Sequence, residues 1–333
     1  MAGIAAAWDL VGDDIPSAGQ GLFVMRLNEA GVSQWARFPC TGNTGNAVTA
    51  GVCFDASGDI YVTGPSGWGE LIHPANPPKP PGENLVVAKY SPAGVLGWST
   101  YVGGKNDDRG EGGALAADTR GNVFVGGWVG GLQPGSGYDL PGLLNNSYKG
   151  GERDGFIAKL DAKSGNILWS LLVGGSGGDA VNAVGVDNDG CVCATGVTTS
   201  SDINPPRTNE GPEFLGGSFF TKVKDDGTVL WSTYGMLSQA DRGHAVFPAA
   251  EGKHWWGLSG GGCVALDATT GERTYYESWT AVFGRYNVGT VSGAAGPEGD
   301  LYVGGSTPGE LPGSIVPWAG QDIFVSRIHF APC

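Results

Sequence analysis

One seven-residue pattern recurs along the chain and constrains its fold more than any other feature. It is clearest at Gly58–Gly64, where a glycine precedes an alternating apolar stretch that ends in a second glycine. Related stretches begin at Gly121, Gly190, Gly252 and Gly299, and the copy after Gly252 is the most divergent. Alternation in a short β-branched and aromatic stretch predicts a strand. A strand that returns at intervals of several tens of residues predicts a repeat architecture.

Three other strand types accompany each copy of this pattern. Small apolar residues form the strand before it, which turns into it through a tight glycine hairpin. The strand after it carries a basic residue one place before its last apolar residue, at Arg26, Lys89, Lys159, Lys222 and Arg327. We interpret these side chains as solvated or paired with acids. A fourth strand carries a large aromatic residue, which we expect to pack between adjacent sheets, at Trp35, Trp98, Trp169, Trp231 and Tyr275.

Four antiparallel strands per repeat, without any helical pattern, predict an all-β fold, a β-propeller. We count four uninterrupted blades between residue 46 and about residue 281, with an incomplete blade at each end. At the N-terminal end, residues 7–12 resemble the second strand of a blade. The prediction is one domain over residues 1–333, with about six four-stranded blades and seven as the alternative. The two ends would complete each other's blades, which removes exposed sheet edges.

Composition limits the partners of such a fold. The chain has 33 acidic against 19 basic residues, and an acidic surface repels phosphate groups. We therefore expect no nucleic-acid partner. Because no apolar stretch is long enough to span a bilayer, we expect no membrane insertion either. No signal peptide is visible after Met1, so either the protein is cytosolic or a leader was removed.

Neither the cysteines nor the hairpins predict a metal site or a cofactor. The six cysteines lack the regular spacing of a disulfide scaffold. Cys191 and Cys193 share one strand face, and we favour small buried side chains over a metal site or redox pair. The hairpin at Asp187–Gly190 resembles the start of a calcium loop, but no glutamate closes a twelve-residue loop, so a plain hairpin is favoured.

The central repeats resemble a known family. The stretches Phe156–Asp161, Gly165–Ser170, Val173–Gly175 and Gly190–Ser200 are similar to the repeats of bacterial SBBP-type β-propeller proteins. This resemblance implies a propeller fold and a tendency towards extracytoplasmic or surface-associated interaction proteins. It implies seven blades, where the residues supply material for about six. It implies no catalytic residues.

One polar signal recurs just before the small-residue strands. These side chains would surround the mouth of the central channel, where they could bind a polar ligand or form ion pairs between blades. The candidates are Asp108, Arg109, Asp179, Asp241, Arg242 and Arg285.

Long connections should all emerge on one face of the propeller, which we call the loop-rich face. Loops on a rigid scaffold commonly carry function, although proline-rich insertions can also simply cap blades. Aromatic residues in these connections are candidates for contact with a partner, because aromatics are enriched at interface hot spots. They are Trp68, Tyr138, Tyr148 and Trp318.

Two functions follow from these features. The first is a non-catalytic binding or assembly module that uses the loop-rich face for a protein or glycan partner. The second is a hydrolase or lyase that uses acids at the channel mouth, with Asp108 and Asp241 as the pair. The sequence lacks the common hydrolase, metalloprotease and nucleotide-binding motifs, which favours the module.

Overall fold

The structure is a computed structural model. It describes residues 2–6, 20–40, 51–65, 71, 84–103, 108–109, 114–130, 140–144, 150–203, 216–235, 242–278, 292–295, 301–307 and 322–328. Two compact parts divide the chain, an N-terminal part (Met1–Val173) and a C-terminal part (Gly174–Cys333).

All named elements of the described residues are β-strands. In the N-terminal part they are β1 (Ala2–Ala6), β2 (Gln20–Leu27), β3 (Ser33–Arg37), β4 (Gly51–Phe54), β5 (Ile60–Pro65), β6 (Leu85–Tyr90), β7 (Leu96–Val102), β8 (Asp108–Arg109), β9 (Leu115–Ala117), β10 (Asn122–Gly130), β11 (Arg153–Asp161) and β12 (Ile167–Val173). The C-terminal part contains β13 (Asp179–Val186), β14 (Val192–Thr198), β15 (Gly217–Val223), β16 (Val229–Tyr234), β17 (Gly243–Pro248), β18 (His254–Ser259), β19 (Gly262–Asp267), β20 (Arg273–Ser278), β21 (Ser292–Ala295), β22 (Leu301–Thr307) and β23 (Asp322–Ile328).

These strands form antiparallel sheets in which sequence neighbours are also spatial neighbours, as in the blades of a β-propeller. Three sheets have four strands in chain order: β4–β7, β13–β16 and β17–β20. In a fourth sheet, β8 and β9 both pair with β10 and share the first position beside β10, β11 and β12. The predicted all-β propeller architecture is confirmed.

The predicted number of complete blades is not shown. Within the described residues, the sheets β1–β3 and β21–β23 have three strands each. The first lacks the small-residue strand, and the second lacks the fourth strand, so six or seven four-stranded blades are not present there. Mutual completion by the two ends stays a prediction. The strand that pairs with β2 is Ala2–Ala6, whereas residues 7–12 lie outside the described part.

The tight hairpins have the predicted chemistry. Asp187 Oδ1 accepts hydrogen bonds from the backbone N–H groups of Asp189 and Cys191, at 3.0 and 2.8 Å. Asp55 and Asp118 make the same contacts in their own sheets. The following glycine has a positive φ, 76° at Gly190, a conformation that glycine adopts without a Cβ clash. The plain hairpin at Asp187 is therefore confirmed.

Trp98 and Trp231, in the fourth strands of their sheets, pack against the next sheet, as predicted. Trp98 and Trp231 are buried, and each indole Nε1 donates to a backbone carbonyl of the next sheet. The acceptors are Ala162 O, 3.1 Å from Trp98, and Ala268 O, 3.3 Å from Trp231. Trp169 is buried as well, and Trp35 is half-buried.

The third-strand basic residues share these carbonyls. Lys89 Nζ donates to Ala162 O at 3.1 Å and lies 2.8 Å from Asp59 Oδ2. Lys222 Nζ donates to Ala268 O at 2.9 Å. The expected pairing with acids is thus present, but the same side chains also join neighbouring sheets.

Candidate functional site

Two of the predicted channel-mouth acids occupy equivalent positions in their own sheets. Asp108 lies opposite Val129 of β10, and Asp179 lies opposite Thr198 of β14. Val129 and Thr198 each lie eight residues after the glycine of the repeated motif, so Asp108 and Asp179 have equivalent register positions. Their place at a channel mouth stays a prediction.

Asp179 is completely buried at the end of β13 from which a long connection leaves β14. Its Oδ2 accepts hydrogen bonds from the Gly175 backbone N–H and from Ser200 Oγ, both at 2.8 Å. Its Oδ1 is also buried. The carboxyl group therefore joins two loop segments, one at Gly175 before β13 and one at Ser200 after β14.

Burial raises the pKa of Asp179 above the ordinary aspartate value. Hydrogen bonds from Thr198, Gly175 and Ser200 lower the pKa and offset part of this effect, while nearby Asp202 raises it further. The cause is that burial penalises the charged form of the carboxyl group. Such a group can act as a proton donor or as a neutral hydrogen-bonding group.

The loop beside Asp179 is tied to the segment after β14 by a ladder of short hydrogen bonds. Ser176 N–H and Oγ both donate to Asp202 Oδ1, at 2.7 and 2.9 Å. Gly177 N–H donates to Ser200 Oγ, and Gly178 N–H donates to Thr199 Oγ1, both at 2.7 Å. This polar loop pair is rigidly built, and a ligand at this end of the sheet would meet an ordered surface.

Glycine is required where the backbone passes the Asp179 carboxyl group. Gly174 has a φ of 145°, and a Cβ added there would collide with the Asp179 side chain. Gly175 would likewise collide with Asp202. The glycine-rich link before the first strand, visible in the sequence, thus allows the close approach on which the loop pair depends.

Of the other predicted site residues, only Arg109 and Arg242 lie within the described residues. Arg109 lies opposite Trp128 in β8, and Arg242 accepts a backbone hydrogen bond from Gly260 N–H at its carbonyl. The others lie outside the described residues: Asp241, Arg285, Trp68, Tyr138, Tyr148 and Trp318. Their roles stay predictions.

A second feature, in the N-terminal part, escaped the sequence analysis. A mostly apolar cavity of about 450 Å³ lies between β2 and the β4–β5 hairpin. Its walls include Arg26, Leu27, Val52, Phe54, Ile60 and Pro92. The available signal was Phe54, a large aromatic residue at a register position where β9 and β13 have Ala117 and Val186.

The cysteines carry no sign of redox or metal chemistry in the described residues. Cys53, Cys193 and Cys263 form no disulfide within the described residues. Burial raises the pKa of the Cys263 thiol to about 12, which disfavours the reactive thiolate. The described ranges contain no cluster of three His, Cys, Asp or Glu side chains that could hold a metal ion. Nor do they contain a helix long and apolar enough to cross a bilayer.

No family model matches the sequence, and no curated protein matches it either. Similar solved structures include a protein of unknown function from Bacteroides caccae, at 10% identity and a TM-score of 0.47, over 85% of this chain and 77% of that one. A protein of unknown function from Dyadobacter fermentans has 10% identity and a TM-score of 0.47, over 97% and 83%. The polysaccharide lyase Uly1 has 14% identity and a TM-score of 0.43, over 85% and 58%.

Proposed function

We propose that the protein is a non-catalytic binding or assembly module of the β-propeller class. Its partner, a protein or a glycan, docks on the loop-rich face. Kinship with SBBP-type repeat proteins and an extracytoplasmic location belong to the same proposal, and the repeated strand motifs support them.

The observation that carries the proposal is the unequal distribution of connections between the two ends of each sheet. In the sheet β13–β16, the short hairpins β13–β14 and β15–β16 lie at one end. The long connection between Thr198 and Gly217 leaves from the other end. The links from Pro65 to Leu85 and from Gly130 to Arg153 follow the same rule in their own sheets. Long loops on a rigid scaffold are the usual carriers of binding.

The use of the repeated polar residues supports a module rather than an enzyme. Lys89 and Lys222 are the most regular charged residues of the repeats, and each is engaged with a backbone carbonyl of the next sheet. What the sheets share is therefore packing, and a shared fold alone implies no reaction.

Asp108 and Asp179 lie at the end of their sheets where the long connections begin. We propose Asp108 and the other predicted channel-mouth residues as polar contacts for the partner, whereas the fully buried Asp179 would hold the adjoining loop pair in place. The aromatic residues of the long connections would supply the apolar contacts. The proposed contact residues are Asp108, Arg109, Asp241, Arg242, Arg285, Trp68, Tyr138, Tyr148 and Trp318.

The test compares binding with turnover. A panel of defined oligosaccharides and a displayed peptide library would be screened for binding, beside a broad panel of hydrolase and lyase substrates. We expect binding without turnover, weakened by Trp68→Ser with Trp318→Ser and unchanged by Asp189→Asn at the hairpin end. Turnover that Asp241→Asn abolishes while the fold is retained would replace the module with the hydrolase or lyase alternative.

A pH experiment tests whether the Asp179 loop pair behaves as described. Because the folded pKa of Asp179 is raised, the folded state binds more protons than the unfolded state above the ordinary aspartate pKa of about 3.9. Stability should therefore fall as the pH rises from that value to the raised pKa. We expect urea unfolding to show this decline in the wild-type protein and a smaller one in Asp179→Asn. Equal slopes would contradict the assignment.

A further inference from the structure

The pairing between β10 and β11 reaches farther toward the long connections than the matching pairs of strands do. The pairing of β5 with β6 ends seven residues after the motif glycine, at Pro65, and that of β14 with β15 ends eight residues after it, at Thr198. The pairing of β10 with β11 ends nine residues after it, with Gly130 opposite Arg153. This extension stands where the connection from Gly130 to Arg153 begins.

Within the extension, an indole ring and a guanidinium group pack against each other. Trp128 occupies the register position at which β5 has Pro65 and β14 has Val197. Its ring lies over Gly130, because a Cβ added at that glycine would be 2.7 Å from the ring. Arg153 has its guanidinium carbon 5.3 Å from the ring centre. A cation over an indole face is a favourable contact, so each side chain holds the other in place.

The pair is rich in hydrogen-bond donors. The indole Nε1 of Trp128 is shielded from solvent and has no acceptor among the described residues. A shielded indole N–H usually has a partner, so an oxygen brought by a ligand would satisfy it. The guanidinium of Arg153 has five N–H donors and no acceptor. Arg109 lies opposite Trp128 in β8, which places a second arginine in the same row of the sheet. A ligand that fits here therefore offers acceptors beside an apolar face.

The surface around the ring is flat. Trp128 is half-buried, and the residue opposite it in β11 is Gly155, so no side chain stands across from the ring in that strand. A side-chain anchor of a protein partner binds best in a well-packed pocket. The C–H face of a pyranose ring, by contrast, is itself flat and is edged by hydroxyl groups that accept hydrogen bonds. Shape and donors together favour a sugar.

Charge narrows the class of sugar. The chain carries 33 acidic and 19 basic residues, so its field repels polyanions. We propose that Trp128 and Arg153 form a subsite for one pyranose ring of a neutral oligosaccharide. The ring would stack on the indole, and its hydroxyl groups would accept hydrogen bonds from the guanidinium. This proposal rests on the proposed function and narrows its partner from a protein or glycan to a neutral glycan.

Two pairs of variants test the subsite. Gly130→Ala should displace the indole ring at little cost in stability, because the added Cβ meets only the outer end of the Trp128 side chain. Its control is Gly97→Ala in β7, where the nearest atom to an added Cβ is 3.6 Å away. Trp128→Ala removes the ring, and its control is Trp256→Ala, at another half-buried tryptophan, near the β17–β18 hairpin.

The probes are an array of neutral oligosaccharides of hexoses and N-acetylhexosamines, with oligosaccharides of uronic acids and a displayed peptide library beside them. We expect a neutral oligosaccharide to bind, and Trp128→Ala and Gly130→Ala each to weaken it by about tenfold or more. Gly97→Ala and Trp256→Ala should leave its affinity unchanged. The indole N–H signal of Trp128 in NMR spectra, identified by its absence in Trp128→Phe, should shift when the oligosaccharide is added.

Three results would overturn the subsite and leave the binding module in place. They are binding of peptides alone, stronger binding of the uronic acids, and a neutral oligosaccharide whose affinity is the same in Gly130→Ala, Trp128→Ala and the wild-type protein. Binding of no probe at all would overturn the subsite and the proposed function together.

Discussion

Two interfaces between neighbouring sheets, one in each compact part, use the same basic residue and tryptophan but obtain their aromatic ring differently. Between β4–β7 and β8–β12, Lys89 lies over Tyr61 of its own sheet. In the C-terminal part, the position opposite Lys222 holds Cys193, which is too small to fill the space of a ring. There the ring is Trp255 of the neighbouring sheet, 5.7 Å from Lys222 Nζ.

The aromatic ring beside the lysine can therefore come from the lysine's own sheet or from the neighbouring sheet. Trp255 lies in the most divergent copy of the repeated motif, where the hairpin from Ala249 to His254 carries one extra residue relative to Asp187–Cys191. The divergence in sequence thus accompanies a compensation in packing. At Arg26 the register position that matches Trp255 holds Ile60, so the ring source seen at Lys222 is absent there.

The largest expected effect comes from removing the compensating ring. Trp255 is among the largest fully buried side chains, and Trp255→Ala should lower the free energy of unfolding by about 3–5 kcal/mol. Cys193→Tyr alone should destabilise by about 1–3 kcal/mol, because it overfills the same space. In the Trp255→Ala background, the same tyrosine should instead raise stability. Chemical denaturation of the four proteins measures this reversal of sign.

The control asks whether Cys193→Tyr also rescues the loss of a buried side chain that does not contact Lys222. Leu258→Ala removes a buried side chain of the same strand, away from Lys222, and Cys193→Tyr should not rescue it. If Cys193→Tyr is equally unfavourable in both backgrounds, the two ring sources are not interchangeable and the comparison fails.

Much of this fold could be predicted because its signals are local. Strand alternation, the hairpin glycines and the spacing of Trp98 and Trp231 each report one strand or one turn. They predict the sheets correctly, except that Ala2–Ala6 rather than residues 7–12 pairs with β2. The role of Lys89 was only half predicted, since its acceptor, Ala162 O, lies in the next sheet and any residue can supply a carbonyl. Contacts to backbone atoms leave no residue type in the sequence by which to recognise them.

The next largest effect on stability should come from removing the donors to Ala162 O, the carbonyl that Lys89 and Trp98 share. Trp98→Phe removes one of the two donors to Ala162 O and should cost about 1–2 kcal/mol, because Lys89 still satisfies the acceptor. Lys89→Met should have a similar cost. Together they leave a buried carbonyl without a donor, so the double variant should lose more than the sum of the two. Strict additivity in a double-mutant cycle would show that the two hydrogen bonds are independent.

The candidate sites were less predictable than the fold for a related reason. Asp179 was found because the acid recurs before a small-residue strand, but its raised pKa depends on burial by loops remote in sequence. The cavity beside Arg26 was not found at all. It is lined by side chains of β2, the β4–β5 hairpin and Pro92, which lie far apart in the sequence.

The smallest expected effects on stability come from removing the acid that pairs with the lysine in each interface. Lys89 and Asp59 approach to 2.8 Å, but both side chains are partly exposed, at 19% and 24%. Exposed pairs contribute about 0–1 kcal/mol and are screened by salt, so Asp59→Asn should cost little and nothing at high ionic strength. Lys222 and Asp187 are farther apart, at 3.4 Å, yet less exposed, at 9% and 16%. Because screening weakens with burial, Asp187→Asn should cost more than Asp59→Asn and keep that cost in high salt. Unfolding titrations at low and high salt decide the matter, and the reverse order would mean that distance outweighs burial in these pairs.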